Sequence, residues 1–313
     1  MKPPHASSRP TVDYPEPPTS GELPVDLPAG TRWGVCLSHD IDHLGLREHL
    51  VDGFLLRYGF NIARQNLIRR WRPRRALGAW LGIARAAVGR DPWDVLESLL
   101  EAERRAGVRS TWFIAVRPGL GINYRPPAIR AAVARLQAAG QEVGLHGQSS
   151  TDAEGLAGEV RELAAIGGRP VRGLRMHYLR LRREVLDGME AAGLEYDSTV
   201  MDRGNLAPDQ HPLPGPRRLR GKLLEIPLHV MDSTLFSVTG LGLDLAGARD
   251  YVRRLGDRAA ELGRVVTLNL HPNSYSSQDP EMKAWYDTLL GELTARSDVW
   301  LTDFRGLVER IQR

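Results

Sequence analysis

From Trp33 onward the chain alternates short β-rich runs with helix-patterned stretches about eight times, a rhythm that few folds accommodate. The runs cover residues 33–37, 110–116, 142–146, 171–178, 194–200, 223–230, 264–271 and 299–304. Between them, Trp93, Leu96, Leu99 and Leu100 recur at the helical period. Ile129, Val133, Leu136 and Ala139 do the same before Gly140, and Val160, Leu163 and Ile166 before Gly167 and Gly168. Such alternation reads as a parallel α/β arrangement, and its length suits a barrel of roughly 250 residues.

Composition excludes simpler alternatives. A chain of 313 residues with 42% apolar and 26% charged content is neither a disulfide-stapled mini-protein nor disordered throughout. The first thirty residues are rich in proline and lack apolar periodicity, so 1–30 is expected to be a flexible arm ahead of a single domain over 31–313. The one cysteine, Cys36, cannot form an internal disulfide. No secretory pattern opens the chain, and the apolar stretch 76–88 is interrupted by Arg85 and too short to span a bilayer. The expected compartment is the cytoplasm, with the inner membrane face as an alternative placement.

Net charge is only +4, but its distribution is uneven. Between Leu44 and Arg90 ten arginines face two acids, Glu48 and Asp52. This segment, 44–90, is expected to be a basic helical insertion, with Leu77, Trp80, Leu81, Ala84 and Val88 on one stripe. The plainer reading packs that helix on the barrel with its arginines in water. The alternatives are a basic lid over an anionic glycan or a phosphorylated lipid-linked sugar, or a membrane-surface docking element. No nucleic-acid module is recognisable, so no nucleic-acid partner is expected.

In parallel α/β folds the carboxyl ends of the strands carry the site, and four runs end there in ionisable residues. The first ends in Asp40 and Asp42, which alternation places on one side. The third ends in His146, followed by Ser149 and Ser150, and the fourth in Arg175, His177 and Tyr178. The seventh ends in His271, where Pro272 stops the strand. Two like charges as close as Asp40 and Asp42 raise the pKa of one unless a cation neutralises them, a capping turn after the strand being the plainer alternative; two Asp with three His are together the inventory of a divalent site.

The order of these motifs resembles the polysaccharide deacetylases with the NodB-type domain, the family-four carbohydrate esterases. The resemblance spans residues 33–304. It rests on Asp40 and Asp42, on His146, on Arg175-Met176-His177-Tyr178 and on Leu270-His271-Pro272. The segments Tyr196-Asp197-Ser198-Thr199 and Glu225-Ile226-Pro227-Leu228 also look like a branch of that family. The resemblance implies a distorted (β/α) barrel of seven or eight strands binding one divalent metal, most often zinc, and an activity that removes an N-acetyl group from an amino-sugar or glycan substrate. It also implies Asp40 as general base, Arg175 as the group that holds it, His271 as general acid, Asp42 and His146 as metal ligands, and the Tyr178 backbone N–H as the oxyanion donor. The chain departs from the family where a second histidine would follow four residues after His146, since Ser150 stands there. The third ligand is therefore expected to be His177, with Ser150 through a water, or no competent site, as alternatives. Two other functions stay open: a catalytically impaired glycan-binding protein on the same barrel, and a deformylase or other small-amide hydrolase.

Overall fold

The computed structural model describes residues 21–49, 53–55, 59–60, 64, 73–202, 207–237, 240–278 and 280–312. Their strands form one sheet: β1 (Trp33–Ile41), β2 (Thr111–Ile114), β3 (Glu142–Gly147), β4 (Gly173–Met176), β5 (Tyr196–Asp197), β6 (Arg217–Arg220), β7 (Leu223–Glu225), β8 (Val230–Met231), β9 (Val265–Asn269) and β10 (Val299–Thr302). The order is β6-β7-β5-β4-β3-β2-β1-β9-β8, with β10 also on β1, and every pairing is parallel except β6 with β7. The chain is thus α/β, with the sheet curled into a distorted barrel. Its seam is drawn together just before β8, where Leu228 N–H donates to the Val200 carbonyl (2.8 Å) and His229 N–H to that of Thr267 (3.3 Å).

Ten strands replace the expected seven or eight for two local reasons. Pro227 has no N–H for a ladder, so the run 223–230 divides into β7 and β8 around it. β6, with three arginines in four residues, carries no apolar alternation and was invisible to a pattern search.

Six longer helices accompany the strands: α1 (Pro73–Ala87), α2 (Leu96–Ala106), α3 (Pro126–Ala138), α4 (Ala153–Gly167), α5 (Leu245–Leu262) and α6 (Pro280–Thr294). Their starts and stops follow residue chemistry. Asp244 caps α5 by accepting from Gly247 N–H, and α5 ends at Gly263, whose φ of +62° lies in the left-handed region that glycine enters without strain. Leu96, Leu99, Leu100, Val133, Leu136, Val160 and Leu163 bury the apolar stripes of α2, α3 and α4 in the main core, as their spacing predicts.

Residues 1–20 of the expected arm lie outside the described residues. Residues 21–30 lie along the barrel: Leu23, Val25 and Leu27 pack on the core around Phe304 and Tyr196, and Val25 bridges to Ile311. From the insertion, Leu46, Leu55 and Ala86 form a small separate cluster with Trp93 just beyond it. The α1 stripe does not pack on the barrel as the plainer reading expected. Leu77, Trp80, Leu81 and Val88 are exposed, while Gly82, Ile83 and Ala86 turn inward.

Candidate active site

All nine residues of β1 are buried, yet its second half reads Ser38-His39-Asp40. Burying such groups costs free energy unless each is paired, so their partners define what the site is for. His39 turns away from the mouth, as alternation predicts. Its Nε2 lies 2.7 Å from the Glu103 carboxylate and its Nδ1 3.0 Å from the Leu270 carbonyl. Ser38 and Asp40 turn inward to Arg175.

Arg175 is wholly buried and held on all sides. Its Nη1 donates to Asp40 Oδ1 (2.9 Å), Ser38 Oγ (2.9 Å) and Asn269 Oδ1 (3.0 Å), its Nε to the Ser198 carbonyl (2.9 Å) and its Nη2 to Ser198 Oγ (3.0 Å). The guanidinium also lies 4.5 Å from the Phe113 ring centroid and 5.5 Å from that of Phe304. Asn269 Nδ2 donates to the other oxygen of Asp40 (3.1 Å), so that carboxylate is held at both oxygens. A lysine has neither the fork nor the planar face for this place. Behind Arg175, Thr199 accepts from Met176 N–H and donates to Asp197, which pairs in register with Glu225. Burial, together with the neighbouring carboxyl, raises the pKa of Glu225 well above the usual range, and burial raises that of Asp197. A shared proton between them keeps two buried acids from repelling each other.

His146 pairs with Arg175 in the β3–β4 register, which carries it to the same mouth. Its Nδ1 lies 3.0 Å from the Arg175 carbonyl, and His177 Nε2 lies 3.2 Å from the Leu120 carbonyl. A carbonyl only accepts, so each of these nitrogens carries the proton and the opposite nitrogen of each neutral ring presents a lone pair. Those two lone pairs meet 3.0 Å apart, and each nitrogen lies 3.3 Å from Asp42 Oδ1. Asp42 Oδ1 is buried and makes no hydrogen bond of acceptable geometry. Three acceptors therefore converge with no donor among them, all within 4.8 Å of one another. Burial works against the Asp42 carboxylate, and the positive charge of the nearby His271 ring favours its ionised form. This donor set suits a divalent cation with three protein ligands and an open position. Among the described residues it is the only cluster of this kind.

His271 faces Asp42 from just beyond the adjacent strand β9, with Nε2 3.8 Å from Oδ2. Its Nδ1 lies 2.6 Å from Asp232 Oδ1, and the other oxygen of Asp232 accepts from Ser274 Oγ (2.6 Å) and His271 N–H (3.1 Å). Burial alone would lower the His271 pKa, yet the Asp232 charge and hydrogen bond, with Asp42 and Asp40 nearby, raise it to about 10. Against its own burial, Asp232 is held below the usual carboxylate range by His271. The sequence reading missed Asp232 because β8 is only two residues long, although a carboxylate just after a strand end was the signal to look for.

Tyr178 follows His177 with φ of +56°, and Leu179 and Leu120 are also left-handed. A bulky residue there is strained by about 1–3 kcal/mol, and such strain persists where surroundings over-determine it. The Leu120 carbonyl supplies that constraint, accepting from both His177 Nε2 and Tyr178 Oη (3.0 Å). A cavity of about 680 Å³ opens from Asp42 and His271, lined also by Asp232, Phe236, Asp244 and Glu281. The structure thus brings Asp40, Asp42, His146, Arg175, His177 and His271 together. Ser150 enters no side-chain interaction with them among the described residues.

With this geometry the fold can be compared with known ones. It is the barrel of proteins described as polysaccharide deacetylases. A Mycobacterium smegmatis protein provisionally so described is 21% identical over 93% of this chain and 94% of its own, at a TM-score of 0.63. A Pseudomonas aeruginosa PAO1 protein, likewise provisionally described, is 16% identical over 91% and 92%, at 0.57. A 4-alpha-glucanotransferase from Thermococcus litoralis, 13% identical, is covered over 40% of its length at 0.50, so the barrel also occurs in a transferase. No family model matches the chain, and no curated protein matches it.

Proposed function

We propose that this chain belongs to the polysaccharide deacetylase family and hydrolyses the N-acetyl group of an amino-sugar or glycan substrate with one divalent ion, Zn²⁺, held by Asp42, His146 and His177. The observation that carries this reading is the pair of ring nitrogens turned by backbone carbonyls toward Asp42, each 3.3 Å from Oδ1. His177 restores the nitrogen ligand lost where Ser150 replaces the family histidine. A nitrogen there weighs against a merely glycan-binding protein.

Bound there, the cation supplies Lewis-acid polarisation and makes a water acidic enough to react near neutral pH. Asp40, held at both oxygens by Arg175 and Asn269, takes the proton of the attacking water. A C–O bond forms at the acyl carbon, and negative charge gathers on the carbonyl oxygen. The Tyr178 backbone N–H meets that charge, a contribution of about 3–4 kcal/mol for one such donor. His271, protonated with Asp232 behind it, gives its proton to the sugar nitrogen as the C–N bond breaks. Acetate and a free amine leave. Acidic Asp244 and Glu281 on the cavity wall favour that amine in its charged form.

The test is release of acetate and formate from N-acyl hexosamines and their oligomers, with zinc added and then chelated. Acetate and amine are expected in equal amounts and only with metal. Formate alone indicates the small-amide hydrolase. Glycan binding without release of either acid contradicts the hydrolytic reading.

A further inference from the structure

α1 is put together the wrong way round for a helix that only covers a barrel. Its inward side carries small residues: Gly82 lies against the Gln278 side chain, and Ala86 joins the Leu46 and Trp93 cluster with Ile83. Apart from Ile83 its large apolar residues point outward, with Leu77 60%, Trp80 45% and Leu81 48% exposed, and Val88, just past its end, is 75% exposed. Phe60, 67% exposed, extends the patch, since Gly59 beside it lies against the Trp80 ring. Burial on protein would have selected the opposite arrangement. A contiguous exposed apolar face on one helix marks an interaction surface.

Charge says what covers it. Arg85 and Arg90 are exposed on and just beyond α1, Arg47 and Arg64 are exposed elsewhere in the insertion, and residues 44–90 hold ten arginines against two acids. A large apolar face with a tryptophan in it, in a segment rich in exposed arginine, is the composition of a helix lying in a lipid–water interface. Arginines near an anionic bilayer strengthen binding to it, and salt screens that attraction. α1 is 15 residues long, and no described helix is long and apolar enough to cross a membrane, so the helix lies on the surface.

We infer that α1 docks the protein on an anionic phospholipid surface through Leu77, Trp80, Leu81 and Val88, with the surrounding arginines on the headgroups. Gln278, against which the helix rests, follows the turn after His271, so docking sets the barrel mouth beside the lipid. The consequence that the acylated sugar is carried on a membrane lipid rests on the deacetylase reading; the docking itself does not.

The full chain is sedimented with vesicles of phosphatidylcholine alone and of phosphatidylcholine with about one third phosphatidylglycerol, at low and high salt. Binding is expected to the anionic vesicles only, weakened severalfold by salt, and at least about tenfold weaker for Leu77→Glu/Leu81→Glu. Both positions are exposed, so circular dichroism and acetate release from a soluble substrate should stay at wild-type levels in that variant. Arg85→Glu should weaken binding to a smaller degree. Equal binding to both vesicle types, or an unaffected double variant, overturns the inference. So does light scattering that shows a dimer which the double variant dissolves, because the face then joins two copies of the chain. Loss of acetate release with vesicle binding intact counts against the enzyme and leaves the docking standing.

Discussion

Arg175 and the cluster of Asp42, His146 and His177 occupy neighbouring strands of one barrel and solve opposite problems. Around Arg175 each nitrogen donates to an oxygen, and both oxygens of Asp40 are occupied. That region is complete as polypeptide. At the cluster, two ring lone pairs and a carboxylate oxygen face one another with no proton among them. It is complete only with something positive from outside. Under the proposed function the contrast separates residues that would prepare the reaction from residues that would hold a metal, and variants on the two sides should therefore behave differently.

The largest effect is expected from Asp40→Asn, which should lower turnover by about 10²–10⁴-fold while leaving the metal content unchanged. A fall in metal content with the rate would merge the two regions and break the distinction. Next, Arg175→Met should destabilise the fold by about 3–5 kcal/mol, since it strands a buried carboxylate. Chemical denaturation should show this loss equally with and without metal. His177→Ala should do the reverse, sparing the metal-free protein but abolishing a metal-dependent rise in stability. That rise amounts to about 4 kcal/mol at a thousandfold excess over Kd.

Asp232→Asn sharpens the comparison on its third side. In the metal-free protein the His271 pKa lies above its unfolded value, so its contribution to stability is full below that value and lost as pH rises through about 10. Removing the Asp232 charge leaves the burial in place. NMR should then show the ring titrating well below 10, and the loss of stability on the alkaline side should shrink. An unmoved titration would mean that Asp232 does not set the acid. Asp232 itself is held low, so its contribution is present above the unfolded carboxylate pKa and lost as pH falls. The smallest effect is expected at Ser150→Ala, which should leave metal content and rate within about twofold of the parent, as for most substitutions outside a contact network.

Much of this was legible because charged residues at strand ends are conspicuous. Asp40, Asp42, His146, Arg175, His177 and His271 stand where short β-rich runs stop, and alternation alone sends them to one mouth. Ser38, Ser198 and Asn269, which complete the surroundings of Arg175, were not legible, because neutral polar residues are as common in loops as in such networks. Leu120 contributes only a carbonyl, and no side chain signals that. α1 shows a different limit. Periodicity locates an apolar stripe but does not say what covers it, and the stripe of Leu77, Trp80 and Leu81 turned outward. Its inward side was written in glycine and alanine, which carry little weight in any hydrophobic pattern.

If His177 completes a metal site with Asp42 and His146, zinc titration of the metal-free protein by calorimetry, with atomic emission on the product, will show it. A single ion per chain is predicted for the wild type and for Ser150→Ala, with loss of tight binding in His177→Ala. An unchanged affinity and stoichiometry in His177→Ala would contradict it.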